Sequence, residues 1–126
     1  MTHVDTSFLI RSLVAASSED KLLRRWMEAS DSLAISAIAW AEFACGPVSA
    51  EQLSQVLQVL GEPLAFTQVH AEIAAELFNS TGRVRGKFVD CMIAAAALES
   101  GASLATSNPR DFARFQSSGL HLVEIA

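Results

Sequence analysis

Two hydrophobic periods alternate along the chain. Short unbroken apolar runs suggest buried strands; stretches in which apolar residues return every three or four positions suggest amphipathic helices. Met1–Val4 reads as a short strand ending at Asp5, followed by a helical patch of Phe8, Leu9, Ile10, Leu13 and Val14 with Ser7 as its N-cap candidate. Ser17-Ser18-Glu19-Asp20 opens a second helix, its acids placed where the helix dipole favours them, with Leu22, Leu23, Trp26 and Met27 as the inner stripe. Leu33–Ile35 is the next strand, and Ser36 begins a helix that Gly46-Pro47 stops. Ser49 and Gln52 form a capping box ahead of the stripe Leu53, Val56, Leu57, Leu60. Leu64–Phe66 is a short strand, and Thr67 caps a helix carrying Val69, Ile73 and Leu77. Phe88–Leu98 is helical, Ser103–Thr106 extended, Asn108-Pro109 starts a short helix, and Leu120–Ile125 is a last strand. Strands alternating with helices predict an α/β fold with a parallel or mostly parallel sheet, in one domain over residues 1–126.

Two helices break the pattern in the same way. From Phe88 onward the run Phe-Val-Asp90-Cys-Met-Ile-Ala-Ala-Ala-Ala-Leu98 is apolar on every side except at Asp90. A helix apolar all round belongs in a core, where an unpaired carboxylate costs several kcal/mol unless neutralised, hydrogen-bonded or bound to a metal. Glu42 is likewise the lone charge in Ala37–Cys45.

Composition narrows the function. A net charge of -5 argues against holding nucleic acid by bulk electrostatics, though not against a nuclease whose acids hold cations. No apolar stretch approaches the roughly 20 residues of a membrane span. The N-terminal residues lack a basic n-region, so no signal peptide is expected and the location is read as cytoplasmic. Cys45 and Cys91 lie in apolar helical runs and read as buried free thiols. His3, His70 and His121 are too scattered for a zinc motif.

Four acids stand out: Asp5 and Asp111 after strands, Glu42 and Asp90 within apolar helices. Ligands of open α/β sheets bind at the carboxyl ends of the strands. Acids gathered there suit magnesium, which prefers carboxylate oxygens and keeps waters for a substrate phosphate, and can activate water against a phosphodiester. Each acid also has a structural explanation; Asp111, with Asn108 as N-cap and Pro109 at N1, sits where an acid stabilises a helix start by itself. Basic residues cluster near these acids in sequence: Arg83, Arg85 and Lys87 before Asp90, and Arg110 and Arg114 around Asp111, placed to guide a nucleic-acid backbone. Trp26 and Trp40 occupy core positions.

Asp5-Thr-Ser after an N-terminal strand, Ala41-Glu42 on an apolar helix, Asp90-Cys-Met-Ile-Ala-Ala-Ala-Ala, and Thr106-Ser-Asn-Pro-Arg-Asp-Phe112 occur in the order of the PIN-domain nucleases. Over essentially its whole length the chain resembles a VapC-type toxin of a type II toxin–antitoxin pair. The resemblance implies a four- or five-stranded parallel sheet with helices on both faces. It implies an endoribonuclease dependent on Mg²⁺ or Mn²⁺, acting on RNA, with a homodimeric state and a VapB-like antitoxin whose tail covers the active site. It assigns Asp5, Glu42 and Asp90 as the core acids, Thr6 or Ser7 and Thr106 as accessory hydroxyls, and Asp111 as the fourth acid with Asn108 as helper. Arg83, Arg85, Lys87 and Arg110 are the RNA-contact candidates. Two rivals compete: a PIN-like module that binds RNA without cutting it, and a magnesium-dependent phosphatase. A binding module has no need of intact acids, and Asp5-Thr-Ser7 lacks the second acid two residues on that such phosphatases use.

Overall fold

The computed structural model describes residues 1–125. Strand β1 (Thr2–Val4) feeds helix α1 (Thr6–Ser12) and then α2 (Ser18–Glu28); β2 (Leu33–Ala34) feeds α3 (Ala37–Ala44) and α4 (Ala50–Leu60). Helices α5 (Gln68–Ser80) and α6 (Phe88–Glu99) precede β3 (Ser103–Ala105), which leads through α7 (Pro109–Phe112) into a 3₁₀ turn over Ala113–Ser118. The strands are parallel, in the order β2-β1-β3, with His3 opposite Ala34 on one side and Leu104 on the other.

The sheet has three strands, not the four or five expected. Leu64–Phe66 and Leu120–Ile125 meet it as single parallel bridges, Leu64 beside Ser36 and Leu122 beside Leu104. Each is held by one pair of backbone hydrogen bonds: Leu64 N–H to Ile35 and Ala37 N–H to Leu64 on one edge, Leu104 N–H to His121 and Val123 N–H to Leu104 on the other. Pro63 has no N–H to extend the first, and Thr67, three residues after Leu64, turns the chain into α5.

The core forms where the alanine run of α6 lies against α5 and β3: Cys91, Ile93 and Ala94–Ala97 are all buried, and their small side chains let neighbouring backbones approach. Phe8 of α1 is fully buried and stacks on Trp26 of α2, while Trp40 packs beside Phe43. Gly101 ends α6 at φ +64, a conformation disfavoured for other residues. The capping boxes appear at α4 and, with His70 in the reciprocal position, at α5.

Several sequence assignments shift. The N-cap of α1 is Asp5, not Ser7; its side chain accepts the Phe8 N–H. Met27, Leu57 and Val69 face solvent because the stripes they extend are wider than the neighbouring helices cover. Helix α6 is not enclosed at its start, where Phe88 and Val89 are exposed and Asp90 is half-buried. Cys91 is buried but Cys45, at the end of α3, is exposed; both thiols are free.

Candidate active site

The carboxyl ends of the parallel strands deliver Asp5 after β1 and Thr106 after β3 to the same edge. Asp5 is 4% exposed and tightly held. Its Oδ1 accepts the Phe8 N–H at 2.9 Å and the Ser7 hydroxyl at 2.8 Å; its Oδ2 accepts the Thr106 hydroxyl at 2.6 Å. Those hydroxyls are themselves constrained, since Ser7 Oγ accepts the Ser107 N–H at 3.0 Å and Thr106 Oγ1 accepts the Asn108 N–H at 3.0 Å. A hydroxyl has one proton to give. With backbone donors on their acceptor sides, both hydroxyls turn that proton to Asp5. A carboxylate has about four acceptor positions; among the described residues three are filled here and one is not.

The other acids approach from α3, α6 and α7. The Thr6 hydroxyl lies 3.1 Å from both Glu42 Oε1 and the Ala39 carbonyl, tying the start of α1 to α3. Glu42 is exposed: α3 is apolar in sequence but turns one side to solvent. Asp90, on the first turn of α6, feels the charge of Asp111, and Lys87 Nζ lies 3.3 Å from Asp111 Oδ1. Burial pushes the Asp5 carboxyl above its ordinary value against the pull of its hydrogen bonds to Thr106, Phe8 and Ser7, and the Glu42 charge adds to the rise. Burial also pushes Asp90 up to about 6, helped by Asp111 and Glu42 and opposed by Lys87 and Arg114.

The basic candidates divide. Lys87 sits among the acids as the N-cap residue of α6. Arg83, with left-handed φ of 53°, bonds Asn79 and lies over the Phe78 ring, while Arg85 and Arg110 are exposed. Asn108 caps α7 without a side-chain hydrogen bond and contributes its backbone N–H to Thr106. An open groove of about 630 Å³ starts at Thr106 and runs past Ser107 and Arg110 to Leu122.

Residues 3–117 match the PIN domain. The chain belongs to the PIN domain family. PIN domains are generally nucleases. Solved structures with the same fold include a toxin–antitoxin complex from Klebsiella pneumoniae, 25% identical over 90% of this chain and 91% of that one, with a TM-score of 0.71. VapBC2 from Rickettsia felis, bound to a DNA fragment from its promoter, is 22% identical over 97% of this chain and 96% of that one, with a TM-score of 0.76. DNA-bound VapBC from Salmonella typhimurium is 20% identical over 99% and 98%, with a TM-score of 0.73. No curated protein matches the chain.

In this PIN domain the four acids are linked in series by charge: Glu42 acts on both Asp5 and Asp90, and Asp111 acts on Asp90. Among the described residues no group of three or more Asp, Glu, His or Cys side chains is arranged to hold an ion between them. Magnesium typically needs only one or two protein carboxylates and retains several waters. The free acceptor position on Asp5 and the half-buried Asp90 supply hard oxygen donors of this kind.

Two residues beside the site escaped the sequence pattern. Glu19 reads as a helix-start acid, yet it is 5% exposed and its Oε2 accepts the Ser107 hydroxyl at 2.6 Å. Ser107 lies between Thr106 and Asn108, and its N–H is the donor to Ser7. Periodicity carries no signal for a contact between residues 88 apart in sequence.

Proposed function

We propose that the chain is the toxin nuclease of a VapBC-type pair, an endoribonuclease dependent on Mg²⁺ or Mn²⁺. The observation that carries this is the Asp5 carboxylate, buried at the carboxyl end of the central strand, fixed by three donors and left with one open acceptor position. Asp5 and Asp90 are the principal metal donors, with Glu42 and Asp111 close enough in charge to shape the site. When bound, the ion would lower the pKa of a water and neutralise charge building on the phosphodiester.

The protein's own residues do the rest. Ser7 and Thr106 lock the rotamer of Asp5, Thr6 steadies Glu42, and the Asn108 N–H fixes Thr106. Lys87 partly offsets the acids, and Arg83, Arg85 and Arg110 give the phosphate chain local positive charge on a molecule whose net charge is -5. The groove of about 630 Å³ adjoins the site through Thr106 but is lined by none of the four acids. The likeness to toxin–antitoxin complexes supports a VapB-like antitoxin partner; a homodimeric assembly rests on the sequence resemblance alone.

The test is RNA cleavage by the purified chain in Mg²⁺ and in chelator. Cleavage should need the ion. Asp5→Asn should slow it by about a hundredfold or more, since even outer partners of metal sites are worth 10–100-fold. An Asp5→Asn variant as active as the parent, or cleavage undiminished in chelator, would reject the proposal; RNA binding without cleavage would favour the inactive module.

A further inference from the structure

We propose that Glu19, on a helix that carries none of the acids of the site, is a positioning residue for Asp5. The inference rests on the metal-dependent reading above and deepens it. Glu19 is a buried acid with two partners: the Ser107 hydroxyl at 2.6 Å, and Arg11 Nε at 3.6 Å from the same Oε2. Arg11 is mostly exposed, so the ion pair is screened and the bond to Ser107 dominates. Burying a carboxylate is unfavourable without such compensation, and a helix-start acid would be equally useful facing solvent. Its inward aim calls for a reason, which the next bonds supply.

Ser107 belongs to the short loop between β3 and α7. Its hydroxyl is anchored to Glu19 and its N–H donates to Ser7 Oγ, which donates in turn to Asp5 Oδ1. The next residue's N–H donates to Thr106 Oγ1, which donates to Asp5 Oδ2. Both hydroxyl contacts to Asp5 therefore depend on the path of one loop, and Glu19 pins that loop to α2. If the loop swings, both hydroxyls lose their backbone donors and can turn toward each other across 3.2 Å, and Asp5 loses its fixed orientation. Glu19 touches neither Asp5 nor any other acid of the site in these bonds, so its effect is transmitted through the loop. Outer-shell hydrogen bonds of this kind orient metal ligands.

Titration of Mn²⁺ into the full chain by calorimetry tests this, comparing the parent with Glu19→Ala, Glu19→Gln, Ser107→Ala and the Glu19→Ala/Ser107→Ala double variant. Glu19→Ala and Ser107→Ala should each weaken Mn²⁺ binding by about tenfold or more. The double variant should be no weaker than the worse single one, because both cut the same path. Glu19→Gln should retain most of the affinity, since its amide oxygen still accepts from Ser107. If Glu19→Ala lowers the melting temperature but binds Mn²⁺ like the parent, Glu19 is structural and the proposal is wrong. If Glu19→Ala does not fold, Ser107→Ala decides by the same criterion. A parent that binds Mn²⁺ but cuts no RNA rejects the nuclease alone and leaves this comparison decisive; a parent that binds no Mn²⁺ rejects both.

Discussion

Asp5 carries two roles at once, as N-cap of α1 and as the most constrained acid of the site. The same carboxylate that satisfies an orphan N–H of the helix start also accepts two hydroxyls from the site. Thr106 is the partner that separates these roles, because its hydroxyl holds Asp5 Oδ2 while the helix-start N–H of Phe8 is taken by Oδ1. Thr106→Val should lower Mn²⁺ affinity by about tenfold and destabilise the fold by about 1–3 kcal/mol, since Asp5 Oδ2 loses its donor in a buried setting. Thr106→Ser, which keeps the hydroxyl, should sit near the parent in both calorimetry and denaturant titration. At this scale the sequence was partly legible. Asp5 is conspicuous because an acid ends the first strand, and Asp90 because it interrupts an apolar helix. Glu42 is conspicuous for the same reason, but composition alone does not tell that α3 leaves that side to solvent. Glu19 is invisible because a helix-start acid is what capping predicts in any case.

Helices declared themselves through caps and stripes. Ser49 and Thr67 cap where the sequence places them, and Ser17 and Ser36, read as the openings of their helices, are the N-caps there. Strand count did not, because a bridge of one residue pair and a strand of three both begin as the same short apolar run; only the partner edge decides which forms. Phe88 and Val89 show the corresponding limit for helices, since apolarity predicts burial only where another element lies across it. Two predictions belong to these elements. Gly101→Ala removes the residue suited to the left-handed turn after α6; with open space around the new methyl, the cost is backbone strain alone, on the order of 1 kcal/mol in a denaturant melt. For the loop between α5 and α6, replacing Arg83 and Arg85 together by alanine should weaken RNA binding and lower the slope of log affinity against log salt by about one per lost phosphate contact. An unchanged slope would make that loop a solvated connection.

Over the whole molecule, two buried or half-buried groups pull stability in opposite directions across nearly the same pH range. Asp90 holds its proton up to about pH 6 in the fold but only to its ordinary value of 3.8 in the unfolded chain. The fold therefore binds more protons in that window, and stability falls as pH rises through it. His3 is fully buried, both ring nitrogens lack a hydrogen-bond partner among the described residues, and burial holds it down at about 4, reinforced by His70 and the N-terminus and opposed by Glu99. Between about 4 and its ordinary 6.5 the unfolded chain binds more protons, so stability rises with pH. In the metal-free parent the two contributions oppose each other, with Asp5 adding on the side of Asp90. Asp90→Asn should leave His3 in charge, and the variant should lose stability more steeply than the parent as pH falls from 6.5 to 4. His3→Leu should do the reverse and gain stability on acidification relative to the parent, by no more than about 1.4 kcal/mol per pH unit. Near pH 7 in chelator, Asp90→Asn should melt above the parent by a few degrees, on the order of 1 kcal/mol once its partial exposure is discounted. Magnesium should then invert that ranking: it stabilises the parent by mass action, and the variant, short of one donor charge, should gain little. Melts of the three proteins at pH 4, 5.5 and 7, each in chelator and in excess magnesium, separate the cases. If Asp90→Asn melts below the parent in chelator at pH 7, Asp90 is a structural partner in the fold and not an acid held ready for a cation.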